Sequence, residues 1–79
     1  MSTILIVDDE EAVRFFIADA LTRNGWQVYE AESGATALSI LANTPCDIML
    51  LDLRMPGMDG LTVMRRVKRS LIAECYRRR

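Results

Sequence analysis

Three aspartates in this chain follow short apolar segments and could carry chemistry together. Asp8 and Asp9 come directly after Ile4–Val7, and Asp52 comes directly after Ile48–Leu51. Short apolar segments of this kind are typical of strands that are buried on both faces of a sheet. A Pro/Gly-containing turn follows Asp52. We therefore expect each acidic group to lie where a buried strand reaches the rim of the sheet.

If the two strands are neighbours, the three carboxylates meet at one rim and repel one another. Mg²⁺ relieves such repulsion, because it takes oxygen ligands and typically uses one or two carboxylates together with phosphate oxygens. An aspartate beside the cation can also attack a phosphoryl donor. The alternative is that Asp8 and Asp9 only begin a helix while Asp52 caps a strand. Two acidic strand ends together favour the site.

The rest of the chain predicts the elements that position these acids. Strands are indicated over 3–8, 26–31 and 47–52, and they alternate with helices over 9–24, over 34–43 and from about Asp59 onward. The middle strand alternates apolar and polar residues, which indicates a position near the edge of the sheet. The order of elements is therefore βαβαβα.

Each predicted helix has one apolar face at three- and four-residue spacing. The face of the first helix comprises Val13, Phe16, Ile17, Ala20 and Leu21. That of the second comprises Ala37, Leu38 and Leu41, with Ile40 beside them. That of the third comprises Leu61, Met64, Val67, Leu71 and Cys75. Helices with one apolar face pack against a sheet.

Alternating strands and helices with right-handed crossovers predict an α/β fold, a three-layer doubly wound parallel sheet. If the second strand lies on the far side of the first, the strand order is 2-1-3. The chain then changes direction between strands one and three, and ligands bind at the carboxyl ends of strands at such a point. This is where the three aspartates lie.

Length and composition predict a single small domain over residues 1–79. The longest apolar segment is far shorter than the ~20 residues that span a bilayer, and no signal peptide is recognisable, so we expect a cytoplasmic protein without membrane contact. Cys46 and Cys75 have no CxxC spacing and the chain has no histidine, which excludes a structural zinc site. We expect both thiols to be free.

Charge is distributed unevenly along the chain. Residues 1–60 carry ten acids against three arginines, a net charge of −7, whereas residues 61–79 carry a net charge of +6. A basic end could steer partners, or it could be a solvated helix face and a frayed tail. The chain has no nucleic-acid recognition motif, and phosphate attraction alone is not specific, so we do not expect it to bind nucleic acid by itself.

The segments 4–10 and 52–60, together with Tyr29–Ala31 and Gly34–Leu38, resemble the receiver domain of two-component response regulators. The resemblance extends over residues 3–70 and implies the flavodoxin-like receiver fold with strand order 2-1-3. Residues 71–79 depart from the family pattern and form a divergent basic tail.

The resemblance implies a role for each acid. Asp52 is the phosphoacceptor and takes a phosphoryl group from a histidine kinase, so the chain receives a group and is not an enzyme. Asp9 is the direct Mg²⁺ ligand, and Asp8 acts through water. Asp52 and the main-chain carbonyl of Arg54 complete the protein ligands. The loop that shapes the wall of the pocket includes Met55, Pro56 and Gly60.

The sequence also departs from the family. A receiver has five strand–helix units, and we expect this chain to stop after three, without the Ser/Thr of strand four and the Lys of strand five. We therefore expect impaired phosphorylation and an exposed edge on the third strand. A homo-oligomer through the third strand or the third helix would cover this surface. The alternative function is a self-associating fragment of a receiver domain with a vestigial acidic pocket.

Overall fold

The computed structural model describes residues 2–52 and 72–76. In these residues the chain forms four strands and two helices, in the order β1 (Thr3–Val7), α1 (Glu11–Arg23), β2 (Gln27–Ala31), α2 (Gly34–Asn43), β3 (Ile48–Asp52) and β4 (Ile72–Tyr76). The predicted third helix and the pocket loop lie outside the described residues. Neither of the two described helices is long and apolar enough to cross a membrane.

The strands form one parallel sheet with the order β2-β1-β3-β4. The predicted α/β fold and the predicted order 2-1-3 are confirmed. β1 lies between β2 and β3, and its residues Ile4 to Val7 are all buried. This burial on both faces explains why the segment is apolar without alternation. β2 has no partner other than β1 in the described part of the sheet, which agrees with its alternating sequence.

The prediction that the third helix continues to Cys75 is wrong over the described residues, because Ile72–Tyr76 forms β4 and pairs in parallel with β3. Cys75 therefore belongs to a strand, opposite Leu51, and not to a helical face. Four of the five residues of β4 are apolar, and a short apolar segment fits either a strand or a helix by spacing alone. The pairing with β3 favours the strand, because it satisfies backbone groups that β3 would otherwise leave open.

The predicted exposed edge of β3 is also wrong. Ile48 pairs with Ile4 of β1 on one side and with Ile72 of β4 on the other. Both edges of β3 are thus hydrogen-bonded within the sheet. The third strand is closed to the strand-to-strand pairing that we expected to drive a homo-oligomer.

The main core lies between α2 and one face of the sheet. Leu5, Val7, Met49 and Leu51 are fully buried there, next to Ala37 of α2. The apolar residues predicted for α2 pack against this cluster: Leu38, Ile40 and Leu41. Replacing Leu5 or Leu51, which are fully buried, by alanine would destabilise the fold by about 2–5 kcal/mol, a large share of the stability of a small domain.

α1 packs against β1 and β2 on the other face of the sheet. Its predicted inner face is only partly correct. Ile17 and Leu21 are partly buried and Ala18 is buried, whereas Phe16 is 77% exposed and Ala20 is exposed. The spacing of apolar residues thus predicted the helix correctly but predicted the wrong residues for part of its buried face.

β1 and β3 are tied together at their amino ends. The main-chain N–H of Asp47 donates to the Thr3 carbonyl oxygen at 2.9 Å. In return, the Thr3 N–H donates to Oδ2 of Asp47 at 2.8 Å. The two hydrogen bonds pair Thr3 with Asp47 one position before the first strand pair, Ile4 with Ile48.

The end of α1 and the start of α2 both have capping residues. α1 ends at Arg23 with Asn24 as its C-cap, and Gly25 follows with a φ of 88°, a left-handed conformation that glycine adopts without strain. Ser33 is the N-cap of α2, and its hydroxyl oxygen accepts a hydrogen bond from the Thr36 N–H at 3.1 Å. This bond satisfies one of the amides that a helix start leaves open.

We expect Ser33→Ala to destabilise the fold by about 1 kcal/mol, because the Thr36 amide loses its acceptor. For a domain of this size the melting temperature falls by roughly 4–8 °C. Thermal unfolding followed by circular dichroism measures the change. Ser39→Ala is the matched control: Ser39 is exposed within α2, so the control should melt at or slightly above the wild-type temperature. Equal melting temperatures for the two variants would contradict the capping role.

Candidate metal centre

Two of the three predicted acids lie at the same edge of the sheet. Val7, the last residue of β1, pairs with Leu51 of β3, so Asp8 and Asp52 each follow one position later. Parallel strands end at a common edge, which is why these side chains meet. Both residues are fully buried, whereas Asp9, the next residue of the turn, is exposed. One carboxylate oxygen from each of the three aspartates lies within 4.8 Å of the others.

Asp8 is held by hydrogen bonds on both its main chain and its side chain. Its N–H donates to the Ala31 carbonyl oxygen at 3.1 Å, which extends the pairing with β2. Its Oδ1 accepts from the Glu10 N–H at 2.9 Å, as aspartates do where a chain turns into a helix. Its carbonyl oxygen accepts from Nη1 of Arg14 at 2.8 Å. The backbone at the first acid is therefore tied to β2 and to α1.

The close carboxylates are unfavourable to one another when all are ionised. For two charges at the separation of Asp8 and Asp52, within 4.8 Å, the repulsion is on the order of 3 kcal/mol at an effective dielectric constant of about 20. A divalent cation converts this repulsion into attraction. The donor set consists of carboxylate oxygens, which suit hard cations such as Mg²⁺ and Ca²⁺ and do not suit metals that prefer thiolate or imidazole. The chemistry of the site thus fits Mg²⁺.

The structure brings together three of the predicted site residues: Asp8, Asp9 and Asp52. The remaining ones, which are Arg54, Met55, Pro56 and Gly60, lie outside the described residues. The roles given to all seven stay predictions.

Sequence reasoning missed an arginine next to the cluster. The Arg14 side chain is 15% exposed, and besides its contact with Asp8 its Nε donates to Oε1 of Glu30 at 3.1 Å. Its position in the sequence could have indicated this contact, because Arg14 lies between Val13 and Ile17, on the side of α1 that meets the sheet. A charged residue there needs a partner on the neighbouring strand. Glu30, near the carboxyl end of β2, provides it.

Cys46 lies at the opposite end of β3 from the acids, before Ile48. Burial and, to a smaller extent, the negative charge of Asp47 raise the pKa of its thiol above the usual value. The Cys46 thiol donates to the Thr44 carbonyl oxygen at 3.7 Å. It is a free thiol, as predicted, and its raised pKa keeps it protonated and unreactive near neutral pH.

Comparison with known proteins assigns the family. The family model of the response regulator receiver domain matches residues 4–74. The chain belongs to the response regulator receiver domain family. It is 38% identical over 65 residues to the sporulation initiation phosphotransferase F of Bacillus subtilis, an alignment that covers 82% of this chain and 52% of that protein. It is 43% identical over 68 residues to the phosphate regulon transcriptional regulatory protein PhoB of Pseudomonas aeruginosa, covering 86% of this chain and 30% of that protein.

Solved structures show the same fold. The response regulator protein TrrA of Thermotoga maritima, in complex with Mg(2+)-BeF, is similar with a TM-score of 0.82 and 35% identity, over 95% of this chain and 66% of that one. TrrA in complex with the histidine kinase ThkA gives a TM-score of 0.85 at 33% identity, with 95% and 67% covered. This chain spans about half or less of the length of the two curated relatives named above.

We expect Mg²⁺ to raise the melting temperature of the chain, because it binds the folded acid cluster and not the unfolded chain. At a concentration a hundred times the dissociation constant the stabilisation is about 2.7 kcal/mol. Asp9→Asn should abolish most of this shift, whereas Asp19→Asn, at an exposed acid of α1, should keep it. Differential scanning calorimetry with and without Mg²⁺ measures both. A wild-type melting temperature that Mg²⁺ leaves unchanged would contradict the metal site.

Proposed function

We propose that this chain acts in phosphorelay signalling and accepts a phosphoryl group on Asp52 from a histidine kinase, in a reaction that depends on Mg²⁺. The observation that carries this proposal is the convergence of Asp8, Asp9 and Asp52 within 4.8 Å at the carboxyl edge of the sheet. Membership of the receiver domain family supports it. In this proposal the chain receives a phosphoryl group and does not turn over a substrate, so it is not an enzyme. We also propose a cytoplasmic location.

The proposed transfer is a direct displacement at phosphorus. A carboxylate oxygen of Asp52 forms the new O–P bond while the N–P bond of the phosphohistidine donor breaks, and the bonding electron pair stays on the imidazole nitrogen. Bound Mg²⁺ would neutralise the phosphoryl oxygens and the negative charge that develops in the transition state. Asp9, Asp8 and the carbonyl of Arg54 would hold it, and the loop residues Met55, Pro56 and Gly60 would line the pocket.

The position of Asp52 suits a nucleophile. It is the last residue of β3, and its backbone pairs with Tyr76 of β4. Leu51, the residue before it, pairs with both Val7 of β1 and Cys75 of β4. These pairs restrict the backbone that carries the Asp52 carboxylate, and restricted geometry lowers the entropy cost of attack. Asp52 is fully buried while Asp9 is exposed, so Asp9 marks the side of the cluster that faces solvent.

Two solved structures support the cation and the partner. TrrA is known in complex with Mg(2+)-BeF and in complex with the histidine kinase ThkA, and this chain is similar to it over 95% of its length. We propose that this chain likewise binds Mg²⁺ and a histidine kinase.

Incubation with a small-molecule phosphodonor and Mg²⁺ should add one phosphoryl group to the chain, as measured by intact mass, and the addition should be slow because we expect phosphorylation to be impaired. The group should be lost on treatment with hydroxylamine, which cleaves acyl phosphates. Asp52→Asn should abolish the addition because the amide is not a nucleophile, and Asp19→Asn should leave it unchanged. An addition that persists in Asp52→Asn would refute Asp52 as the acceptor, and no addition to the wild type would refute the proposed chemistry.

Self-association is the second candidate function. Phe15 and Phe16 of α1 are 68% and 77% exposed, and exposed aromatic side chains of this size favour association. The route through β3 is closed, because both of its edges are paired. Among the described residues the exposed large hydrophobic side chains belong to α1, so we propose that self-association would use the surface of this helix.

Light scattering at micromolar concentration tests this second candidate. We expect the wild type to show the mass of a dimer and Phe16→Lys to show the mass of a monomer, because a charged side chain opposes burial in an interface. Ala20→Lys, farther along the same helix, tests how far the interface extends. The mass of a monomer would place Ala20 inside the interface, and the mass of a dimer would place it outside. A wild-type monomer with a cooperative melt would rule self-association out.

A further inference from the structure

Arg14 connects β2 to the turn that carries the two adjacent acids. Its Nη1 donates to the Asp8 carbonyl oxygen at 2.8 Å, and its Nε donates to Oε1 of Glu30 at 3.1 Å. The guanidinium group is planar and presents its donors in a fixed fork, so one side chain sets the distance and direction of both bonds. The side chain is 15% exposed, which makes it less screened and less mobile than a surface arginine.

The Asp8 carbonyl belongs to the peptide group that joins Asp8 to Asp9. This group is planar, so a hydrogen bond that fixes its oxygen also fixes the direction of the Asp9 N–H and the point from which the Asp9 side chain departs. The side chain of Asp8 is held separately, by the Glu10 N–H. Asp9 is exposed, so the backbone contributes more to its placement than packing around its side chain does.

We propose that Arg14 is a positioning residue for the metal site: it orients the peptide group between Asp8 and Asp9, and Glu30 holds the arginine in place. The inference rests on the proposed function, since it concerns the affinity of the acid cluster for Mg²⁺. Groups that orient metal ligands without touching the metal commonly change metal affinity about 10- to 100-fold when they are removed.

Charge and positioning predict opposite results for the same substitution. Arg14 carries a positive charge close to a cation site, so if it acted only as a charge, Arg14→Met would strengthen Mg²⁺ binding. If it positions the turn, Arg14→Met weakens binding although the substitution removes a repulsive charge. The sign of the change therefore distinguishes the two roles.

The test is isothermal titration calorimetry of Mg²⁺ into the full chain, at a temperature where circular dichroism shows each variant to be folded. We expect Arg14→Met to weaken binding about 10-fold. Arg14→Lys should weaken it as well, because one ammonium group keeps the charge but lacks the planar fork. Glu30→Ala should weaken binding, and Glu30→Gln should restore it, because the glutamine side-chain oxygen still accepts from Nε of Arg14.

Arg23→Met is the matched control. It removes a guanidinium and an ion pair from the same helix, at the exposed pair of Arg23 with Asp19, and it should leave Mg²⁺ affinity unchanged. If Arg14→Met does not fold, Arg14→Lys and the two Glu30 variants carry the test.

The outcomes separate this inference from the proposed function. Mg²⁺ binding by the wild type with equal or higher affinity in Arg14→Met overturns the positioning role alone. Wild-type Mg²⁺ affinity in Arg14→Lys overturns the positioning role too, since the planar fork of the guanidinium group would then not be needed. A wild type that does not bind Mg²⁺ overturns the proposed function and, with it, this inference.

Discussion

The pairing of β1 with β3 is the interaction on which the site depends. It places two strand ends next to each other in a parallel sheet, and each strand end carries an aspartate, Asp8 and Asp52, that is fully buried. Neither acid is near the other in sequence. The acid cluster therefore forms only in the folded chain, and a cation that binds it would stabilise the fold by an amount set by the cation concentration relative to the dissociation constant.

Carboxylates as close together as those of the acid cluster repel one another when they are ionised. Two fully buried acids of like charge oppose folding, whereas the apolar cluster around Leu5, Met49 and Leu51 on the face of the sheet toward α2 favours it. Hydrogen bonds from the Glu10 N–H and from Arg14 fix the acidic turn at the Asp8 side chain and carbonyl oxygen. A turn that is already fixed suits a metal site, because little has to rearrange when a cation arrives.

Much of this arrangement follows from local sequence patterns. Two apolar segments that each end in aspartate predicted β1, β3 and the cluster, and the helix predicted over 34–43 is α2. The errors came from features that depend on tertiary neighbours. Spacing of apolar residues could not distinguish the strand Ile72–Tyr76 from a helix. It also placed Phe16 on the buried face of α1, whereas Phe16 is exposed. The contact between Arg14 and the Asp8 carbonyl involves a backbone atom, on which side-chain patterns carry no information.

The reciprocal hydrogen bonds between Thr3 and Asp47 have a consequence at the far end of the sheet. Successive side chains of a strand point to opposite faces, so a slip of β3 by one residue relative to β1 would turn every β3 side chain over. The carboxylate of Asp52 would then point away from Asp8 and Asp9, and Met49 and Leu51 would leave the core. The Thr3–Asp47 pair at the amino edge of the sheet thus stabilises the register of β1 and β3, and the position of the acids at the carboxyl edge depends on that register.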